Sequence, residues 1–200
     1  LSTDGRFKRL PLDDMQELSG RAATIVKLKD GVSLLSAVMC DDGGTVTLIS
    51  DIGRVLCLPV EEQCLPVMGK LAQGPMAMRT LPGETLVGAV SHPADPIGNA
   101  TSSEILVGTG NGWLTRLSLA SLRRCQRGDL GDVALQLSKT GKKLDPVVTV
   151  CATSDLVGVI TSQSRHGRIL KDCISADTDQ PTDLSLKTNE QLIRLVPLIS

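Results

Sequence analysis

Aromatic side chains are almost absent from this chain of 200 residues: Phe7 and Trp113 stand alone, and there is no tyrosine. A core made without rings depends on interlocked Val, Leu and Ile, and the surface offers little on which a base or a sugar could stack. No run of about eighteen apolar residues occurs and no signal sequence is visible, so the sequence gives no support to membrane insertion or secretion. Histidine is nearly as scarce. His92 and His166 read as residues of separate loops, and the six cysteines (Cys40, Cys57, Cys64, Cys125, Cys151, Cys173) include no C-x-x-C pair. A metal centre or a Cys-His nucleophile therefore lacks its usual spacing. Four of the cysteines sit in apolar strand-like runs, where a reduced cysteine acts as a small hydrophobe, so all six are expected as free thiols in a reducing compartment. Charge of one sign is missing too. Twenty-one Lys and Arg against 22 Asp and Glu leave a net charge of -1, without the basic excess of a tight, non-specific polyanion binder.

What is present is a repeat. Gly5-Arg6-Phe7-Lys8-Arg9-Leu10-Pro11-Leu12 returns as Gly53-Arg54-Val55-Leu56-Cys57-Leu58-Pro59-Val60, as Gly112-Trp113-Leu114-Thr115-Arg116-Leu117-Ser118-Leu119, and more loosely as Gly167-Arg168-Ile169-Leu170-Lys171-Asp172-Cys173-Ile174. The glycines are 48, 59 and 55 residues apart. Spacing of this order with strand-like content predicts an all-β array of small sheets, each burying its faces against its neighbours. Hydrophobic content of 41% suffices for a single repeat domain, divided approximately into 1–46, 47–104, 105–155 and 156–200. The chain opens inside a repeat, as a domain cut from a longer protein would.

Within one repeat, residues 34–40 read as a strand, 41–44 as a hairpin turn, 45–50 as the returning strand, and 51–53 as a turn into the strand 54–60. A polar connection over 61–74, a short strand over 75–81 and the turn Leu81-Pro82-Gly83-Glu84 lead to an apolar strand from Leu86 to Val90. Equivalent strands are expected at 147–151 and 192–199, which gives about four strands per repeat. Residues 91–103 add a polar, proline-containing loop whose Asn99-Ala100-Thr101 sequon is a chance match, and 178–183 form a shorter one. Gly108-Thr109-Gly110-Asn111-Gly112 imitates a dinucleotide fingerprint, but it leads into Trp113-Leu114 rather than a helix, so it reads as a turn.

The recurring strand, turn, Gly-Arg, strand and Leu-Pro unit, with the stretch Leu81-Pro82-Gly83-Glu84-Thr85-Leu86-Val87-Gly88-Ala89-Val90, resembles the C-terminal domain of bacterial type II topoisomerase A-type subunits. The family comprises the A subunits of gyrase together with the C subunits of topoisomerase IV, and the resemblance covers essentially the whole chain. It implies a β-pinwheel of about four four-stranded blades, in which neighbouring blades exchange a strand. It implies a non-catalytic, DNA-binding role: duplex DNA bent or wrapped around a basic rim and presented for strand passage, the topological change that the isomerase as a whole performs. The catalytic tyrosine would lie outside this chain, and no cofactor would be held here, ATP and Mg being used elsewhere in the parent enzyme. The implied partners are DNA and the B-type ATPase subunit, without a membrane, in the cytoplasm at the nucleoid of a bacterium or in a plastid.

Cations follow the repeat. Arg6, Lys8, Arg9 and Arg21 cluster in the first, Arg54 and Lys70 in the second, Arg116, Arg123, Arg124 and Arg127 in the third, and Arg165, Arg168 and Lys171 in the fourth. If the strands after the repeat glycines form the rim, Arg6, Lys8, Arg9, Arg21, Arg54, Lys70, Arg123, Arg124, Arg127, Arg168 and Lys171 make a discontinuous belt for phosphates. The bland alternative is that they are solvated surface residues. The family's Q-R-R-G-G-K-G box has only a degenerate match here, Gln126, Arg127, Gly128 and Gly131, with Asp129 where the box has no acid, and Gly20-Arg21 as a fainter echo. That departure points to a topoisomerase IV-like or divergent gyrase domain that wraps DNA weakly. The rival readings are a protein-interaction β-propeller, which lacks here its Gly-His and Trp-Asp signatures, and a propeller hydrolase, whose acids would converge on a channel rather than fall in turns.

Overall fold

The computed structural model describes residues 1–16, 24–94, 104–120, 122–137 and 145–198. Helix among them amounts to one turn, α1 (Asp13–Gln16), and a 3-10 turn at Lys171–Cys173. The regular structure is otherwise β, with every strand pairing antiparallel and turns and irregular connections between, as a chain rich in Val, Leu and Ile with regularly spaced glycines dictates.

Three hairpins carry the fold: β1 (Thr45–Ser50) with β2 (Arg54–Pro59), β4 (Glu104–Thr109) with β5 (Trp113–Ser118), and β8 (Leu156–Thr161) with β9 (His166–Leu170). A flanking strand lies against the first strand of each: β3 (Leu86–His92) on β1, β7 (Val147–Ala152) on β4, and β11 (Leu192–Leu198) on β8. On the other edge, a two-residue strand arrives from the following repeat. β6 (Asp132–Val133) pairs with β2, and β10 (Thr182–Asp183) pairs with β5. The sheets therefore run β3-β1-β2-β6, β10-β5-β4-β7 and β11-β8-β9. A first blade is sketched by bridges alone, with Ser2 opposite Leu34 and Arg6 opposite Met76. This is the strand-exchanged pinwheel.

Successive residues of a strand point to opposite faces, and in the hairpins of the second and third blades both faces are buried. Leu48 joins a core with Phe7, Leu56, Leu58 and Met78, while its neighbour Ile49 joins the next core with Val55, Ile105, Val107 and Leu135. Leu106 and Leu114 face a third core with Val157, Ile174, Leu192 and Leu195. Each core thus lies between two consecutive blades, which is why no blade can stand alone. A fully buried Leu here is worth about 1.5–3 kcal/mol relative to exposure.

The structure corrects several sequence expectations. Residues 34–40 form no strand, and 41–44 is a turn but not a hairpin turn. In the first blade residues 34–36 meet Leu1 and Ser2: Leu1 O accepts Leu35 N–H (2.9 Å) and Ser36 N–H (3.2 Å), the Leu1 amino group donates to Ser36 O (2.9 Å), and Ser2 bridges Leu34; beyond that, Met39 is 71% exposed. The histidines lie in strands, not loops: His92 ends β3, buried with its Nε2 unpartnered, and His166 begins β9. Residues 75–81 give isolated bridges at Met76 and Met78. The sequon at Asn99 lies outside the described residues. The Gly108–Gly112 stretch ends β4 and makes the turn into β5.

Repeat four is also out of frame by three. The hairpin turns are marked by one recurring bond, Gly5 N–H to Ser2 O (3.0 Å), Gly53 N–H to Ser50 O (3.0 Å), Gly112 N–H to Thr109 O (3.0 Å) and Ser164 N–H to Thr161 O (3.1 Å). Ser164, at φ 57, therefore takes the glycine's place, and Arg165 stands where Arg54 does. A Cβ on Gly53 would come within 2.8 Å of Leu135, and one on Gly112 within 2.7 Å of Leu186, because the exchanged segment crosses just above. No exchanged strand covers the turn of β8 and β9 among the described residues, so a serine fits there.

Candidate nucleic-acid interface

The second, third and fourth blades are each locked by a carboxylate two residues ahead of the first paired residue of the flanking strand. Glu84 accepts its own turn's Leu81 N–H (2.6 Å) and the Arg54 Nε–H (3.0 Å). Asp145 accepts the Thr109 hydroxyl (2.5 Å) and Asn111 N–H (3.0 Å). Glu190 accepts the Thr161 hydroxyl (2.5 Å) and Lys187 N–H (2.9 Å), with Arg165 at 3.3 Å. Those two donors hold the Glu190 carboxyl below its ordinary value, the Thr161 hydroxyl most. Sequence reasoning missed this device, although an acid just before each apolar flanking strand was there to be read.

Cations on the hairpin strands of the first three blades are consumed by such structural duties. Arg54 is 6% exposed, ion-paired to Glu84 and bonded to Arg79 O (2.9 Å), so it is not at the rim where it was expected. The return strand is covered by the following repeat, so a charge on it has to be paired. Arg6 bonds Asp4 and Gly74 O; Arg9 bonds Asp42 and Glu62; Arg116 bonds Ile174 O and lies near Glu104 and Asp172. Lys8 donates to the carbonyls of Ile25 (2.9 Å), Gly69 (3.1 Å) and Lys70 (2.6 Å), and burial pulls its pKa down. Arg21 lies outside the described residues.

The connections between repeats behave differently. Each runs beside the return strand of the preceding blade, as Val67 does beside Arg9, Arg124 beside Cys57, and Ser175, which accepts the Arg116 N–H. Each makes a four-residue turn there: 69–72, 126–129 and 177–180, closed by Ala72 N–H to Gly69 O, Asp129 N–H to Gln126 O and Gln180 N–H to Asp177 O. The residue after the first in each turn is Lys70, Arg127 and Thr178 respectively. Within the box-like segment, Gly128 has φ 85, as that turn position requires, and Asp129 caps the Gln126 N–H (3.0 Å). Gly131 approaches Val55 too closely for a side chain.

Lys70, Arg124, Arg127, Arg168 and Lys171 have no acid bonded to them among the described residues. Arg123 pairs with Asp132 at 3.2 Å, on an exposed surface where such a pair is weak. Arg123, Arg124 and Arg127 are all exposed, and Arg79, also exposed, joins them through Nε–H to Gly128 O (2.7 Å). The sequence-derived belt thus divides: Lys70, Arg123, Arg124, Arg127, Arg168 and Lys171 are surface cations, while Arg6, Lys8, Arg9 and Arg54 hold the fold. No cluster of three or more metal-ligating side chains occurs among the described residues, and no described helix is long and apolar enough to cross a membrane. All six cysteines are free, and burial pushes the Cys151 thiol up to about 12.

The class defined by these features is a strand-exchanged β-pinwheel with cation-tipped connecting turns. The chain is related to the A subunits of DNA gyrase and topoisomerase IV. It is 29% identical over 164 residues to the A subunit of DNA topoisomerase 4 from Synechocystis sp., covering 77% of this chain and 17% of that protein. It is 25% identical over 194 residues to the A subunit of DNA gyrase from Pseudomonas aeruginosa, covering 96% and 20%. Among solved structures, it matches the C-terminal domain of DNA topoisomerase IV with a TM-score of 0.81 at 18% identity, over 98% of this chain and 59% of that one. The DNA gyrase A C-terminal domain matches at 0.77 and 19% identity, over 97% and 62%. No family model matches. The chain spans about a fifth or less of the length of the curated relatives it matches.

Proposed function

We propose that this chain is the DNA-binding module of an A-type subunit of a type II topoisomerase. It holds duplex DNA through sequence-independent phosphate contacts and bends it toward strand passage carried out elsewhere in the enzyme. The observation that carries this reading is the sorting of cations: those on the hairpin strands of the first three blades are paired, while Lys70, Arg123, Arg124 and Arg127 stand exposed or half-exposed on the connections. Arg168 within the uncovered β9 and Lys171 just after it extend the set. Pinwheel relationship to gyrase and topoisomerase IV domains supports it. In this reading the module itself holds no cofactor; the B-type ATPase subunit, ATP and Mg act in the whole enzyme, in the bacterial cytoplasm at the nucleoid. The box-like turn spends Asp129 on capping Gln126, so its net positive charge is small and chiral wrapping is weak.

With about five phosphates neutralised, log affinity should fall against log salt with a slope of about -4 to -5. Replacing Arg123, Arg124 and Arg127 together by Glu should weaken binding on every duplex sequence alike. Filter binding or fluorescence anisotropy across a salt series measures both. An affinity that is indifferent to salt, or to the triple change, would remove this reading.

A further inference from the structure

Lys8 is the cation whose bonding departs furthest from what a phosphate contact needs. A lysine ammonium has three protons. All three find backbone carbonyls here: Ile25 O at 2.9 Å, Gly69 O at 3.1 Å and Lys70 O at 2.6 Å. The first acceptor belongs to the connection of the first repeat and the other two to the turn 69–72 in the connection of the second. One side chain thus ties two consecutive connections together, and it does so from beneath the turn that carries Lys70.

Later blades repeat the device with arginine. Arg79 Nε–H donates to Gly128 O at 2.7 Å under the turn that carries Arg127, and Arg116 Nε–H donates to Ile174 O at 2.8 Å at the root of the fourth repeat's connection. A cation on or beside the preceding blade holds a connection's carbonyls in all three cases. An isolated coincidence would not recur at three successive junctions.

We infer that Lys8 is a positioning residue, which fixes the turn bearing Lys70 at the surface and leaves the phosphate contact to Lys70 itself. Removing it should loosen the turn without removing a phosphate contact. The DNA part of this inference rests on the proposed DNA binding; the structural part does not.

The test compares Lys8→Arg, Lys8→Met and Lys70→Gln in the 200-residue chain with a mixed-sequence duplex over a salt series. Lys70→Gln should make the salt slope shallower by about 0.9, the value for one phosphate. Lys8→Met should weaken binding several-fold with the slope unchanged. Lys8→Arg keeps the charge, and a planar guanidinium cannot converge on three carbonyls around one atom. It should therefore also weaken binding, whereas at a phosphate contact arginine would serve as well as lysine. Full affinity for Lys8→Arg, or a slope loss of about 0.9 for Lys8→Met, would overturn the inference. Amide exchange in the free protein decides the structural part without DNA. Both Lys8 variants should speed exchange of the Ala72 N–H, which bonds Gly69 O, and Lys70→Gln should not; unchanged Ala72 exchange in the Lys8 variants would overturn it even if the domain bound no DNA.

Discussion

The second and fourth blades place the same ion pair at the same point of the hairpin, yet only one of them is closed. Arg54 and Glu84 have side chains 7% and 1% exposed, under an exchanged segment that brings Leu135 onto Gly53. Arg165 and Glu190 occupy the equivalent positions, but the arginine is 46% exposed, and no strand pairs with the outer edge of β9 among the described residues. β2 is buried nearly throughout, whereas β9 is mostly exposed. Neighbour and strand differ together: β2 runs on as Val55-Leu56-Cys57-Leu58 beneath an exchanged segment, whereas the open β9 reads His166-Gly167-Arg168-Ile169-Leu170, so burial of a return strand goes with both its own apolar residues and the following repeat that covers it.

The largest expected effect comes from removing the covered cation. Arg54→Met strands the Glu84 carboxylate away from water, and breaking a buried pair from one side costs about 3–5 kcal/mol. Urea unfolding monitored by circular dichroism should show a large fall in the midpoint, and a smaller one for Arg165→Met, because that guanidinium is already half in water and the buried Glu190 carboxylate keeps the Thr161 hydroxyl and the Lys187 N–H. Equal losses in the two variants would mean that the exchanged segment does not desolvate the pair.

Next in size is the turn itself. Gly53→Ala adds a methyl group at φ 80 against Leu135 at 2.8 Å, so left-handed strain of about 1–2 kcal/mol adds to overpacking of about 1–3 kcal/mol. Ser164→Gly relieves the strain of φ 57 but frees the unfolded chain, and the two terms should cancel to within about 1 kcal/mol. Thermal unfolding of both variants checks the contrast. A tolerated Gly53→Ala would show that Leu135 moves aside cheaply.

The same contrast between covered and open blades explains what could be read from the sequence. The hairpins were legible because Leu48-Ile49, Val55-Leu56 and Ile105-Leu106 are flanked by turns that glycine must make. The exchanged strands were not, because two residues carry no periodicity; β6 and β10 exist only through the partner they meet. The fourth repeat was read three residues late because Gly167-Arg168 imitates the motif, while Ser164 shows no glycine at the position that adopts the left-handed turn. The site was half legible. Arg123, Arg124 and Arg127 lie in a polar connection and are exposed, as their surroundings suggest. Arg54 and Lys8 sit within the repeat's own apolar motif, and their partners Glu84, Gly69 and Ile25 lie 30, 61 and 17 residues away, beyond any local pattern.

The smallest effect tests where the proposed DNA path runs. The connections of the second and third repeats carry Lys70 and Arg127 just inside their turns, but the corresponding turn of the fourth, 177–180, carries Thr178 between Asp177 and Asp179. Asp177 accepts the Asp179 N–H at 2.8 Å, so the turn is held by its own acid. A duplex following the cationic turns would find no cation at this point. Thr178→Lys adds one cation at an exposed position without disturbing the capping bond. If DNA reaches the fourth connection, the salt slope should steepen by about 0.9 and affinity at low salt should rise a few-fold. If DNA leaves the rim after Arg127, the slope should stay as it was, and the acidic turn then marks the end of the DNA-binding edge.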